Sequence, residues 1–217
     1  MEFLSQFLDF FIHLNNHLAD ILANYGTLTY AILFLIIFCE TGLVVMPLLP
    51  GDSLLFAVGA LGASTGQLNV YILIILLISA ALAGDNMNYI IGKFFGKKIK
   101  THEKIGFFKR EYIDNTEAYY AKHGGKTVII ARFIPIIRTM APFVAGAGNM
   151  KYGRYLLFCV TGACLWVGGL ITLGYQFGNL ELVKKNFELV ILSIVVISFL
   201  PVLHQVWQNM HTKNVTN

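Results

Sequence analysis

Apolar residues fall along this chain in long unbroken blocks and in blocks interrupted by proline and charge. Val70 to Gly84 carries no charged residue and runs on through Asp85-Asn-Met-Asn-Tyr-Ile-Ile-Gly-Lys-Phe-Phe-Gly96; Tyr155 to Phe177 is likewise uncharged, and Phe187 to Val206 is largely apolar beyond Glu188 near its start. At 1.5 Å per residue, about 20 residues cross the roughly 30 Å of bilayer hydrocarbon, so each of these blocks predicts a full transmembrane helix. Residues 3–23 differ. Phe3, Phe7, Phe11, Leu14, Leu18 and Leu22 recur at mostly helical spacing with Asp9, His13, Asn16, His17 and Asp20 between them. The pattern predicts an amphipathic helix lying at the interface or packed on the bundle, with His13 and His17 as its polar face.

The interrupted blocks come twice. Tyr30 to Cys39 is followed by Glu40, then Pro47-Leu-Leu-Pro50-Gly-Asp-Ser53, then the apolar Leu54 to Gly62. Ala131 to Met150 is largely apolar but holds two charges, Arg132 and Arg138, and two prolines, Pro135 and Pro142. An arginine at the hydrocarbon centre costs roughly 2.5–3.5 kcal/mol, and each proline removes a backbone donor, so neither block suits a straight lipid-facing helix. Each arm is also too short to span. Two re-entrant hairpins are predicted, broken at Pro47 and Pro50 and at Pro135 and Pro142. Broken backbone at membrane depth is tolerated where protein or a watery cavity satisfies it, so Arg132 and Arg138 should line something polar. Arg138 is expected at the break and Arg132 on the entering arm. Ser53 belongs near the start of the returning half-helix, where amide donors face the cavity. The bland alternative for Glu40 and Asp52 is interfacial carboxylates at segment ends. Asp85, Asn86 and Asn88 form a polar cluster that either packs into the bundle interior or shares in a proton path.

The hairpins also align: Pro47-Leu-Leu-Pro50 falls on Pro135-Ile-Ile-Arg138, and the following helices end in Gly92-Lys-Phe-Phe-Gly96 and Gly174-Tyr-Gln-Phe-Gly178. Opposed entry of the two would make them inverted repeats, whose broken segments meet at a midplane site with Glu40 and Asp52 facing Arg132 and Arg138. Unpaired ions at that depth are costly, and the pairing balances them. Gly92 and Gly96 offer a small-residue face for close helix contact.

Composition agrees with this picture. The chain has 217 residues, 56% of them hydrophobic and 13% charged, with a mean hydropathy of +0.66; it is expected to be an all-α integral membrane protein. Three to four full transmembrane helices join the two hairpins. Met1 to Gly26 lacks Lys and Arg, so no removable signal peptide is expected. Nine of the sixteen basic residues lie between Lys93 and Lys126, which marks that stretch as a cytoplasmic loop rather than a nucleic-acid surface and outweighs Lys184 and Lys185 outside. Lys151 and Arg154 return the chain to the same side. The C-terminus is expected in the cytoplasm and the N-terminus on either side. Within the loop, Phe107 to Tyr120 is expected as a surface helix and His123-Gly-Gly125 as its stop. Cys39, Cys159 and Cys164 have no metal-type spacing and are expected as small buried hydrophobes. Neither a metal nor a cofactor is expected.

Cys39-Glu-Thr-Gly-Leu-Val-Val-Met-Pro-Leu-Leu-Pro-Gly-Asp-Ser-Leu-Leu-Phe56, Gly84-Asp-Asn-Met-Asn-Tyr-Ile-Ile-Gly92, His123-Gly-Gly125 and the run from Ala131 to Gly146 closely resemble the DedA family, also called SNARE-associated or VTT-domain proteins, of the bacterial inner membrane. The likeness spans about residues 27 to 178. The chain as a whole is expected to divide into an amphipathic helix at 1–26, one membrane domain over 27–206 and a tail at 207–217. The likeness implies kinship with transporters of undecaprenyl phosphate and with phospholipid scramblases, and with roles in membrane potential and resistance to alkali and cationic antimicrobials. The family's essential acids match Glu40 and Asp52, and its essential arginines match Arg132 and Arg138.

Four functions fit this pattern to different degrees. The favoured one is a proton-motive-force-linked flippase in which Arg132 and Arg138 grip the phosphate of a polyprenyl phosphate or phospholipid and Glu40 and Asp52 exchange protons. Arginine suits phosphate because its planar fork binds bidentately and stays charged. Asp85, Ser53 and His123 are accessory candidates. The alternative is a proton-coupled small-cation antiporter whose acids bind the cation. An intramembrane hydrolase is disfavoured, since neither a nucleophile with a base nor metal-ligand spacing lies near the hairpins, and His123 is the one base nearby. A scaffold would survive neutralisation of the arginines. The expected partners are the lipid, protons and the bilayer, with oligomeric state left open.

Overall fold

Helix boundaries follow the local chemistry of the chain. In the computed structural model, residues 14–42, 51–99, 104–105, 108–109, 126–132, 134–148, 150–187, 189–194 and 196 are described. The helices are α1 (Leu14–Tyr25), α2 (Leu28–Gly42), α3 (Gly51–Thr65), α4 (Val70–Ile99), α5 (Lys126–Ala131), α6 (Pro135–Ala147), α7 (Tyr152–Ala163), α8 (Gly169–Phe177) and α9 (Glu181–Lys185), with a π-helical turn, Cys164–Gly168, joining α7 to α8. Gly26 at φ 51° ends α1 and Gly66 at φ 65° ends α3, a left-handed geometry that other residues adopt at a cost. Asn69 caps α4, its Oδ1 accepting from the amides of Tyr71 at 3.0 Å and Ile72 at 3.3 Å.

Two stretches, Val70–Phe95 and Tyr152–Phe177, are each 26 residues long and apolar enough to cross a membrane. They coincide with two of the expected spans. The third expected span, Phe187 to Val206, is helical in its described residues as far as 196, and the remainder lies outside the described residues. The 15-residue helices α2 and α3 flank the first proline motif, and at about 1.5 Å per residue neither crosses the hydrocarbon alone. Pro47 and Pro50 lie outside the described residues, as do His123 and residues 1–13.

The chain forms two compact units. The first comprises Met1–Ile32, Pro50–Ile75 and Val167–Asn217. Its centre is α3, buried from Ser53 to Gly62 and apolar on every side, as a sheathed helix must be. The α1 helix buries Leu18 and Leu22 and packs on α3, so the amphipathic segment takes the packed alternative over these residues. Against α8, contact is backbone to backbone. A Cβ on Gly59 would collide with the Ile171 carbonyl, and one on Gly174 with the Phe56 carbonyl. Lipid supplies little hydrophobic drive between helices, so close approach through small residues holds this pair together. Gly174→Ala is expected to lower stability by about 1–3 kcal/mol, because a rigid carbonyl rather than a mobile side chain must move. Thermal unfolding in detergent checks this, and an unchanged midpoint would remove the close packing as the cause.

The second unit comprises Leu33–Leu49 and Leu76–Trp166. Here α4 makes two close crossings. Gly84 abuts Thr41 and Gly42 of α2, and Asn88 Nδ2 donates to the Thr41 carbonyl at 2.7 Å. Further along α4, Gly92 faces the Phe143 backbone of α6, while Gly146 faces that of Tyr89. The expected small-residue face is thus used at Gly92. Tyr89 stacks on Tyr155 at 4.4 Å and joins Val128, Ala145 and Cys159 in the core. Of the surface helix expected over Phe107 to Tyr120, the two described residues are corrected: Phe108–Lys109 pair with Lys104–Ile105 as a short antiparallel ladder, and the rest of that stretch lies outside the described residues.

Candidate functional site

The second proline block folds as a short helix, a turn and a second helix. Tight turns close at the end of α5, with the Arg132 amide donating to Ile129 and the Ile134 amide to Ala131. Pro135 then opens α6, where a missing N–H removes no helical hydrogen bond. Arg132 therefore sits in the break, not on the entering arm as expected, and Arg138 lies in the first turn of α6, near the break where it was expected. The break precedes Pro135 because the residue before a proline is driven out of helical geometry; Ile134 is extended, at φ −119° and ψ 108°. Pro142, expected as a second break, lies inside α6 and leaves it continuous over 13 residues.

Both arginines are buried, at 3% and 5% exposure. Each is ion-paired within the second unit: Arg138 Nη2 with Glu40 Oε1 of α2, and Arg132 Nη2 with Asp85 Oδ2 of α4. Glu40 thus meets one of the arginines it was expected to face. Arg132 meets Asp85, an accessory candidate from the sequence. Asp52 and Ser53 belong to the first unit, in the first turn of α3. There Asp52 is half-buried and Ser53 buried, and a carboxylate at that position complements the positive end of the helix.

Two further side chains complete the arrangement, and sequence reasoning missed both. Trp166 in the π-turn lies under both guanidiniums, 4.4 Å from Arg138 Cζ and 5.7 Å from Arg132 Cζ to the ring centroid. Stacking on an indole contributes an attraction that grows when water is excluded. Its signal was a tryptophan in the middle of an apolar block, far from the interface where such residues usually anchor. Cys159, expected as a small hydrophobe, is buried, but its thiol donates to Asp85 Oδ2 at 3.1 Å and lies 3.5 Å from Arg132 Nη2. Tyr155 Oη donates to the Asp85 carbonyl at 3.0 Å. The site therefore joins two carboxylate–guanidinium pairs to one aromatic ledge, at a point where a helix is interrupted.

Among the described residues no group of three or more His, Cys, Asp or Glu is placed to hold a metal ion. The chemistry available is charge pairing, proton exchange at carboxylates and anion recognition by guanidinium.

Two helices of spanning length and apolar composition, together with buried, compensated charge, are what a helical membrane protein carries. Residues 49–176 match the VTT domain. The chain is 50% identical over 202 residues to Protein DedA of Escherichia coli K12, covering 93% of this chain and 92% of that one. It is 41% identical over 181 residues to an uncharacterized membrane protein of Mycobacterium leprae, covering 83% and 81%, and 34% identical over 175 residues to the inner membrane protein YqjA of E. coli K12, covering 78% and 79%. No solved structure gives a significant match. The chain belongs to the DedA family of VTT-domain membrane proteins.

Proposed function

We propose that this protein is a proton-linked transporter that moves a lipid phosphate, either a polyprenyl phosphate or a phospholipid, across the bacterial inner membrane. The observation that carries the reading is that two guanidiniums, both nine-tenths or more buried, share one indole and are each closed by a carboxylate. Two arginines, one in a helix break and one in the turn after it, make a site that pairs with an anionic head group once a carboxylate gives way. The carboxylate is the competitor for that position. A proton on Glu40 cancels its charge and releases Arg138 to a phosphate oxygen, which ties phosphate entry to proton entry. Asp52 is assigned to proton exchange on its motif alone. The lipid tail stays in the bilayer while the head group crosses.

The test is reconstitution. Undecaprenyl phosphate and common phospholipids are presented side by side in proteoliposomes, with an Arg132→Ala/Arg138→Ala protein as the blank. Movement of a lipid phosphate by the wild type alone is expected. Cation-driven pH change without lipid movement would replace the proposal with a cation antiporter.

The orientation proposed with this reading puts residues 97–126 in the cytoplasm, with the short segment around Lys151 to Arg154 on the same side, and is motivated by the clustered lysines. In a cysteine-free background, Asn115→Cys is expected to stay unlabelled when an impermeant thiol reagent is added outside intact cells. Labelling there reverses the topology.

A further inference from the structure

We infer that Asp85 is a positioning residue of the phosphate site: it fixes Arg132 so that the donors left over on this guanidinium form an anion-binding edge while Glu40 still holds Arg138. This rests on the lipid-phosphate reading and adds a residue to it, together with a division of labour between the arginines. Asp85 is 1% exposed and is held from two directions. Its Oδ2 accepts from Arg132 Nη2 and from the Cys159 thiol, while its backbone carbonyl accepts from Tyr155. A carboxylate anchored in this way fixes the guanidinium that binds it.

The rest of Arg132 points to a ligand. Its Nε and Nη1 are buried and have no hydrogen-bond partner among the described residues. Buried donors are rarely left so, and charged ones least of all, because each gives up its hydration without replacement. A phosphate group meets the need: several acceptor oxygens, negative charge and a size that fits one guanidinium. A neutral amide would supply one acceptor, and a cation none. Gly162 of α7 packs close beside Nε: a Cβ there would lie 3.2 Å from both Cδ and Nε of Arg132, tight enough that the guanidinium would have to shift. The ligand class is a phosphate monoester or free phosphate.

The full-length protein in detergent is titrated with inorganic phosphate and, separately, with a short-chain polyprenyl phosphate, alongside thermal unfolding. Asp85→Asn keeps a carbonyl oxygen for Nη2 but removes negative charge beside the incoming anion. It is expected to bind both probes roughly tenfold more tightly, the size of effect expected for one unit charge at near contact. Gly162→Ala displaces the guanidinium from that contact and is expected to weaken binding of both by roughly tenfold in protein that still folds. Asp85→Ala removes the hold on Nη2 along with the charge and is expected to bind both probes more weakly than Asp85→Asn; equal affinities in these two proteins would leave Asp85 no positioning role and overturn the inference. If Asp85→Asn does not fold, Gly162→Ala decides. Wild-type affinity in the folded variants overturns the inference. A response confined to inorganic phosphate keeps the site and removes the lipid head group as its occupant. Should lipid movement depend on Arg138 while these variants bind and move lipid like the wild type, the inference falls and the transport reading stands. Shifted affinities without lipid movement in vesicles sustain the inference and overturn the transport reading.

Discussion

Arg138→Ala is expected to abolish lipid-phosphate transport and to cost about 3–5 kcal/mol of stability, the usual effect of breaking a buried ion pair on one side. The stability loss follows from Glu40, which is fully buried and, with the Arg138 partner gone, must either carry its charge without that cation or take up a proton at a cost. A marginally stable membrane protein can be unfolded by that amount. The double variant Arg138→Ala/Glu40→Gln removes both charges together and is expected to recover most of the stability while transport stays absent. The cycle thus separates two roles of one side chain. Arg138→Lys makes a finer cut. Lysine keeps a point charge near Glu40 but loses the planar fork and the flat face that lies 4.4 Å from the Trp166 centroid. Stability is expected to fall only partly, and phosphate binding by more than about tenfold. Measuring thermal stability and lipid-phosphate binding on all three proteins settles the matter. Recovery of binding as well as stability in the double neutral variant would show that Arg138 only balances Glu40.

What could be read from the sequence was whatever short-range pattern encodes. The spans at Val70–Phe95 and Tyr152–Phe177 follow from apolar length, and the interruption between α5 and α6 follows from Pro135 within an apolar run. The partner of Arg132 did not follow. Nothing in the spacing of Asp85 and Asp52 says which carboxylate an arginine will meet. That choice depends on the crossing of α4 with its neighbours, set by Gly84 against α2 and Gly92 against α6. The break lies elsewhere than expected for a local reason: a proline disturbs the residue before it more than those after it, which puts Arg132 into the turn and Arg138 into the helix. Trp166 and Cys159 escape sequence reasoning because each residue type has a common hydrophobic role, and only three-dimensional proximity to a charge gives it another. Glu40 was recognisable because a carboxylate after ten apolar residues, Tyr30 to Cys39, has few inexpensive explanations.

Glu40→Gln is expected to flatten the pH dependence of phosphate binding. In the wild type, ionised Glu40 and the phosphate compete for Arg138, so binding strengthens as pH falls and Glu40 takes up a proton. Glutamine is a permanent stand-in for the protonated acid. Its amide oxygen still accepts from Nη2, which preserves the shape of the site and much of its stability, but it carries no charge and exchanges no proton. The phosphate monoester itself titrates near pH 6, so the quantity to follow is the ratio of variant to wild-type affinity, in which the head group cancels. That ratio is expected to be near one at low pH and to climb with pH by at most about tenfold per unit, the limit for one proton. Transport driven by a pH gradient should disappear in the same variant even though the phosphate still binds. A variant that keeps the wild-type pH slope would place the coupling proton elsewhere. Asp52→Asn is then the next protein to measure, because its half-buried carboxylate is the other acid of the motif.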